Sequence, residues 1–196
     1  MSSLLLKSAF TSALLFAIAY VGSRWFRRKT GESTDQSSLL LLPFKVHARA
    51  FYRGIGLAGV LLSGGIVLGA ILSLLNPPPQ AAEQVLRRAM AEAATGGAFL
   101  SVVLLAPWSE EALFRGFLLP ALAARWGERK ALHGSALLFA ALHLDLFRLP
   151  LLYLAAWLLG REALRERNLL SVTVAHSIWN GCNFILLWLS AGGGTA

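Results

Sequence analysis

Residues 98–126 read AFLSVVLLAPWSEEALFRGFLLPALAARW, and the only charges in this stretch before Arg125 are Glu110, Glu111 and Arg115. As one helix it would be about 43 Å long at 1.5 Å per residue, against a bilayer hydrocarbon core of about 30 Å. It must tilt, protrude or break, and Pro107 and Pro120 are the obvious places. An ionisable group at membrane depth costs several kcal/mol (roughly 2.5–3.5 on insertion scales), so it is rarely there without a task. Three of them within six residues single this stretch out.

Working outward, the same apolar character holds across the chain. Of 196 residues, 56% are hydrophobic and only 14% charged, with a mean hydropathy of +0.61. A soluble domain carries nearer a quarter charged residues. The apolar residues are blocked rather than alternating, and Gly54 to Pro79 contains no charge. The expectation is an all-α, polytopic transmembrane bundle of about six spans.

The net charge of +8 is distributed as a membrane protein distributes it. Arg24, Arg27, Arg28, Lys29, Lys45, Arg49 and Arg53 fall in the first loop. Arg125, Arg129 and Lys130 fall in a second, and Arg161, Arg165 and Arg167 in a third. These are alternate loops, the asymmetry produced when Lys and Arg stay on the cytoplasmic side. No basic, aromatic-interleaved soluble face exists, which excludes a nucleic-acid partner. Cys182 is the single cysteine, so no intrachain disulfide can form.

Leu4 to Gly22 is the first apolar segment, and the cationic cluster follows it. That order suits a retained helix with its N-terminus outside rather than a cleaved signal. Thr30 to Ser38 reads as a polar linker. Gly54 to Asn76 is the second span, stopped by Pro77, Pro78 and Pro79. Ala81 to Ala94 has apolar residues at helical spacing and charges between, the pattern of an amphipathic helix on the outer surface. Spans four to six are expected at Ala131 to about Leu146, Leu149 to Gly160 and Leu169 to Ala191. The fifth is short enough to be partly re-entrant.

Residues four apart on a helix share a face. Glu111 and Arg115 can therefore pair, which leaves Glu110, turned by about 100°, to face a cavity as a single ionised base. His176 and Asn180 share a face, as do Phe139 and His143. A carboxylate and an imidazole, Glu110 and His143, can hold a water and take its proton. A second imidazole and an amide, His176 and Asn180, can donate to the oxyanion of an amide carbonyl. His47 and His133 read as interfacial residues, and Trp108 and Trp179 as either cavity wall or packing.

Glu110-Glu111-Ala-Leu-Phe-Arg115 resembles the EExxxR motif of the CAAX prenyl protease and bacteriocin-processing (CPBP, Abi) family of intramembrane proteases. Phe139 to His143 resembles its FxxxH motif, and His176 to Asn180 its HxxxN motif. The resemblance covers about Ala98 to Leu189. It implies a glutamate-dependent endopeptidase with Glu110, His143, His176 and Asn180 catalytic and Glu111 and Arg115 supporting. It implies a membrane-anchored protein or peptide as substrate, in a bacterial inner membrane, and no required metal. The chain then divides into residues 1–53 (first span and basic linker), 54–97 (second span and interfacial helix) and 98–191 (CPBP-like core). Six spans differ from the eight of the eukaryotic prenyl-protein enzymes, so a prenylated substrate is not inherited. Other readings of the same residues are a non-catalytic immunity or scaffold factor and a small transporter using Glu110 and His143 as a proton relay. A zinc site built from Glu110, His143 and His176 with an open fourth position is a further one. Oligomeric state is not written in the sequence.

Overall fold

The computed structural model describes residues 3–31, 40–91 and 94–192. Residues 32–38 of the expected polar linker, Thr30 to Ser38, lie outside these. Seven helices and no strand occur among the described residues: α1 (Ser3–Thr30), α2 (Ala48–Ser73), α3 (Ala81–Ala91), α4 (Thr95–Trp126), α5 (Glu128–Leu142), α6 (Leu149–Glu166) and α7 (Leu170–Ser190). Four of them, α1, α2, α4 and α7, are long and apolar enough to cross a membrane. The protein is an integral membrane protein. The count of about six spans is thus approximate, because α5 has 15 residues and α6 carries Arg161, Glu162, Arg165 and Glu166 in its last turns.

The long central stretch does not break. α4 remains continuous over 32 residues, with wide π-type turns at Leu100–Leu105 and Phe114–Leu118, each ending two residues before a proline. Such turns absorb the ring of a proline and the backbone hydrogen bond it cannot make. The carbonyls that Pro107 and Pro120 leave without a donor find others. Asn180 Nδ2 donates to the Val102 carbonyl, five residues before Pro107, at 3.0 Å. Leu42 N donates to the Gly116 carbonyl, four residues before Pro120, at 3.1 Å. Both prolines therefore tie α4 to distant parts of the chain.

Small residues set the helix packing, as in membranes generally. α1 buries Ser12, Ala19 and Ser23 against α4, and Ser109 Oγ bonds Ser12 Oγ at 3.2 Å. α2 buries Ala50, Gly54, Ala58 and Leu61 against α7. A Cβ on Gly54 would strike the Ser171 carbonyl, and one on Gly65 the Trp179 ring. The face of α2 away from α7, with Ile66, Val67 and Ile71 more than half exposed, is the lipid-facing side expected of a span. α3 packs Leu86 and Ala89 onto Ala98, Val103 and Phe184, which holds the amphipathic helix against the ends of α4 and α7.

Residues 40–47 form a strap threaded between helices. Leu40 and Leu42 are buried, and Leu169 N donates to the Pro43 carbonyl at 3.0 Å. Asn168, 2% exposed, fastens its end. Its Oδ1 accepts from Lys45 N (2.9 Å) and Leu170 N (3.2 Å), and its Nδ2 donates to the Lys45 carbonyl (2.8 Å) and faces His47 Nε2 (3.1 Å). His47 is more than an interfacial residue. Its Nδ1 accepts from Ala50 N at 3.1 Å and caps α2, which begins at Ala48 rather than at Gly54.

Candidate active site

The buried end of the site is an ion pair one helical turn long. Arg115 Nη1 lies 2.8 Å from Glu111 Oε1, with side chains 1% and 0% exposed. Arg115 Nη2 also donates to the Ala156 carbonyl on α6 at 3.1 Å, and the guanidinium sits 4.7 Å from the centre of the Phe139 ring. A buried charge pair needs this many partners to offset its desolvation. The expected pairing of Glu111 with Arg115 is present, and Glu110 lies outside it.

α7 enters through His176, whose Nδ1 is 2.8 Å from the same Glu111 Oε1. An ionised carboxylate only accepts, so Nδ1 carries the proton and Nε2 is left facing Glu110 Oε2 at 3.8 Å. That separation is too long for a direct hydrogen bond and lets one water reach both atoms. Glu111 Oε2 is buried without a hydrogen-bond partner, because both donors converge on Oε1.

His143 ends α5 as its C-cap residue. Its Nδ1 is 2.8 Å from the Phe139 carbonyl. A carbonyl cannot donate, so Nδ1–H is the donor and Nε2 holds the lone pair. The Phe139 ring lies 4.7 Å from His143 and 6.1 Å from His176, centre to centre. One phenyl ring thus supports Arg115 and both histidines. The sequence pairs Phe139 with His143 by spacing, but its contact with the other two needs the fold. Glu110, half-buried at 25%, is within electrostatic reach of both histidines, Glu111 and Arg115.

Asn180 bonds between helices. Its Nδ2 already donates to the Val102 carbonyl, which leaves one N–H for any other task. Trp108, 45% exposed, stacks on Phe44 of the strap at 4.8 Å, and Trp179 lies on Gly65. His133 bonds the Tyr153 hydroxyl and stands apart from the site. Among the described residues no three His, Cys, Asp or Glu side chains are gathered closely enough to hold a metal ion.

Residues 93–182 match the type II CAAX prenyl endopeptidase, Rce1-like, family. That segment is similar to the CAAX-protease family over somewhat less than half of the chain. The matched segment contains α4 to α6 and α7 as far as Cys182, and with them all three motifs. No curated protein and no solved structure matches the chain. Likeness to that family, on helices apolar enough to cross a membrane, points to a membrane protease.

Proposed function

We propose that the protein is a glutamate-dependent intramembrane endopeptidase acting on membrane-anchored proteins or peptides. The observation that carries this reading is the convergence of three helices on Glu110. His176 Nε2 faces it from α7, and His143 closes α5 with its Nδ1 committed to the backbone.

In the proposed reaction a water lies between Glu110 and His143 Nε2. Glu110 takes one proton as the oxygen attacks the scissile carbonyl carbon, and the C=O electrons move to the oxygen. His176 and Asn180 meet that oxyanion. Neutral His176, protonated at Nδ1, cannot donate from Nε2. It serves as an oxyanion donor only as the imidazolium, with Glu111 as its counter-ion. Asn180 contributes the N–H that Val102 does not use. Collapse of the tetrahedral species breaks the C–N bond, and the proton held by Glu110 passes to the leaving amine. Arg115 and Glu111 act through His176 as positioning residues.

A bacterial inner membrane is the proposed location. The test is Glu110→Gln in the purified, bilayer-reconstituted protein with membrane-anchored peptide substrates. Cleavage should vanish while the melting temperature stays that of wild type. Cleavage that persists in the folded variant removes Glu110 from the mechanism. Loss of cleavage on chelation, restored by Zn²⁺, would replace this mechanism with the metal-dependent one.

A further inference from the structure

The α5–α6 hairpin is too short to cross a bilayer. The apolar part of α5, Ala131 to Leu142, rises about 18 Å. That of α6, Leu149 to Gly160, also rises about 18 Å. The hydrocarbon core is about 30 Å thick. The charged ends of the two legs meet on one side, where Arg167 Nη2 donates to Glu128 Oε1 at 2.8 Å. On α6, Glu162 and Glu166 also pair with Arg53 of α2 at 2.8 and 3.0 Å. By the distribution of Lys and Arg this is the cytoplasmic side. With both legs rooted there, the turn at residues 143–148 stops roughly 12 Å short of the opposite edge of the core.

Beyond His143, which is exposed, the side chains of the turn are sorted for lipid rather than water. Leu142, Leu144 and Leu146 are 61%, 90% and 83% exposed. The charged residues are the ones turned in and paired. Asp145 Oδ2 meets Arg148 Nη1 at 2.9 Å, both side chains less than one-fifth exposed. Asp145 Oδ1 accepts from Arg148 N at 3.0 Å, and the long Arg148 side chain extends toward the outer side, where Nη1 donates to the Pro78 carbonyl of the α2–α3 connection at 3.2 Å. Backbone donors in hydrocarbon must be satisfied within the protein. His143 N and Leu144 N donate to Ala140 and Ala141. Leu144 adopts a φ of +53°, rare for a branched residue, and there the chain reverses with its leucine pointing out.

We propose that α5 and α6 form a re-entrant hairpin whose tip lies within the hydrocarbon and is covered by lipid acyl chains. Leu142, Leu144, Leu146 and Phe147 make that contact. The hairpin enters and leaves on the cytoplasmic side, so the topology is four crossings plus one hairpin, with every basic loop on the same side as before. It holds His143 at the depth of Glu110, and the protein above the tip comes from other helices. The inference does not depend on the protease reading.

The test uses the full chain with Cys182→Ser, into which single cysteines are placed at Leu144 or Leu146. Arg88→Cys on α3 serves as the outer control and Arg129→Cys on α5 as the cytoplasmic control. In intact cells a membrane-impermeant maleimide should label the Arg88 position only. In inside-out vesicles it should label the Arg129 position only. Nitroxides at 144 and 146, in reconstituted protein of wild-type melting temperature, should be relaxed by oxygen and not by a water-soluble nickel chelate. Labelling of 144 or 146 from outside, to the extent of the Arg88 control, would show two full crossings and overturn the proposal. Labelling from the cytoplasmic face would show a water-filled opening and overturn it too. Nitroxides shielded from both relaxing agents would place the tip under protein, which also contradicts it.

Discussion

Replacing Arg115 by Met tests the electrostatic frame of the site. The side chain is 1% exposed and its partner Glu111 is 0% exposed. The change keeps most of the apolar volume, so cavity effects are small. It removes the N–H that holds Glu111 Oε1 and the one that holds the Ala156 carbonyl. Stripping one partner from a buried ion pair costs about 3–5 kcal/mol, and an unsatisfied carbonyl adds about 1–3 kcal/mol. For a chain of this size each kcal/mol moves the melting temperature by roughly 2–4 °C. Thermal unfolding of detergent-purified Arg115→Met should therefore begin at least about 8 °C below wild type. Arg167→Ala is the contrast, because the Arg167–Glu128 pair is 63% and 60% exposed and such pairs contribute about 0–1 kcal/mol. The double variant Glu111→Leu/Arg115→Met removes both charges and should recover much of the lost stability, yet remain inactive because His176 Nδ1 has lost its acceptor. If Arg115→Met melts within a degree of Arg167→Ala, the pair is not the buried frame described here.

Three further outcomes follow from the same contacts. Asn180→Ala leaves the Val102 carbonyl without a donor and should cost about 1–3 kcal/mol of stability. It should also lower kcat by about 10²–10³ if Asn180 meets the oxyanion. Adding Pro107→Ala restores a backbone N–H beside Val102 and should return stability but not kcat, and recovery of both would make Asn180 purely structural. Gly54→Ala should destabilise by about 1–3 kcal/mol, because its Cβ meets the Ser171 backbone, whereas Gly59→Ala, facing open space, should be neutral by the same melting assay. Asn168→Ala frees donors and acceptors at Lys45 and Leu170 together. It should lower the melting temperature more than Asn183→Ala, whose Nδ2 bonds the Trp179 carbonyl of its own helix on an exposed face.

Much of the site is legible in the sequence because its key spacings are local. Glu111 and Arg115, and Phe139 and His143, pair within one turn, and helical periodicity alone puts each pair on one face. The helical membrane class is equally local, since it follows from apolar runs. What is hidden is set by contacts across long separations. Nothing in residues 40–47 says that Leu42 will satisfy a carbonyl freed by Pro120, or that Asn168 will make three contacts with a strap more than a hundred residues away. The continuity of α4 is supported by such donors, so proline spacing alone does not say whether the stretch tilts, protrudes or breaks. The convergence of His176 on Glu111 rather than on Glu110 alone follows from how α7 packs against α4. Span counting is approximate at α5 and α6, because apolar composition alone does not separate a crossing from a hairpin of two half-length legs.

The measurement that bears most directly on the protease reading is mass spectrometry of membrane-protein C-termini. It compares cells carrying the wild-type chain with cells carrying Glu110→Gln at equal expression and insertion. Shortened C-termini present only with wild type are the predicted result, and they would identify the substrates as well. Identical C-terminal profiles from the two strains would contradict the proposed cleavage and favour a non-catalytic membrane factor on the same fold.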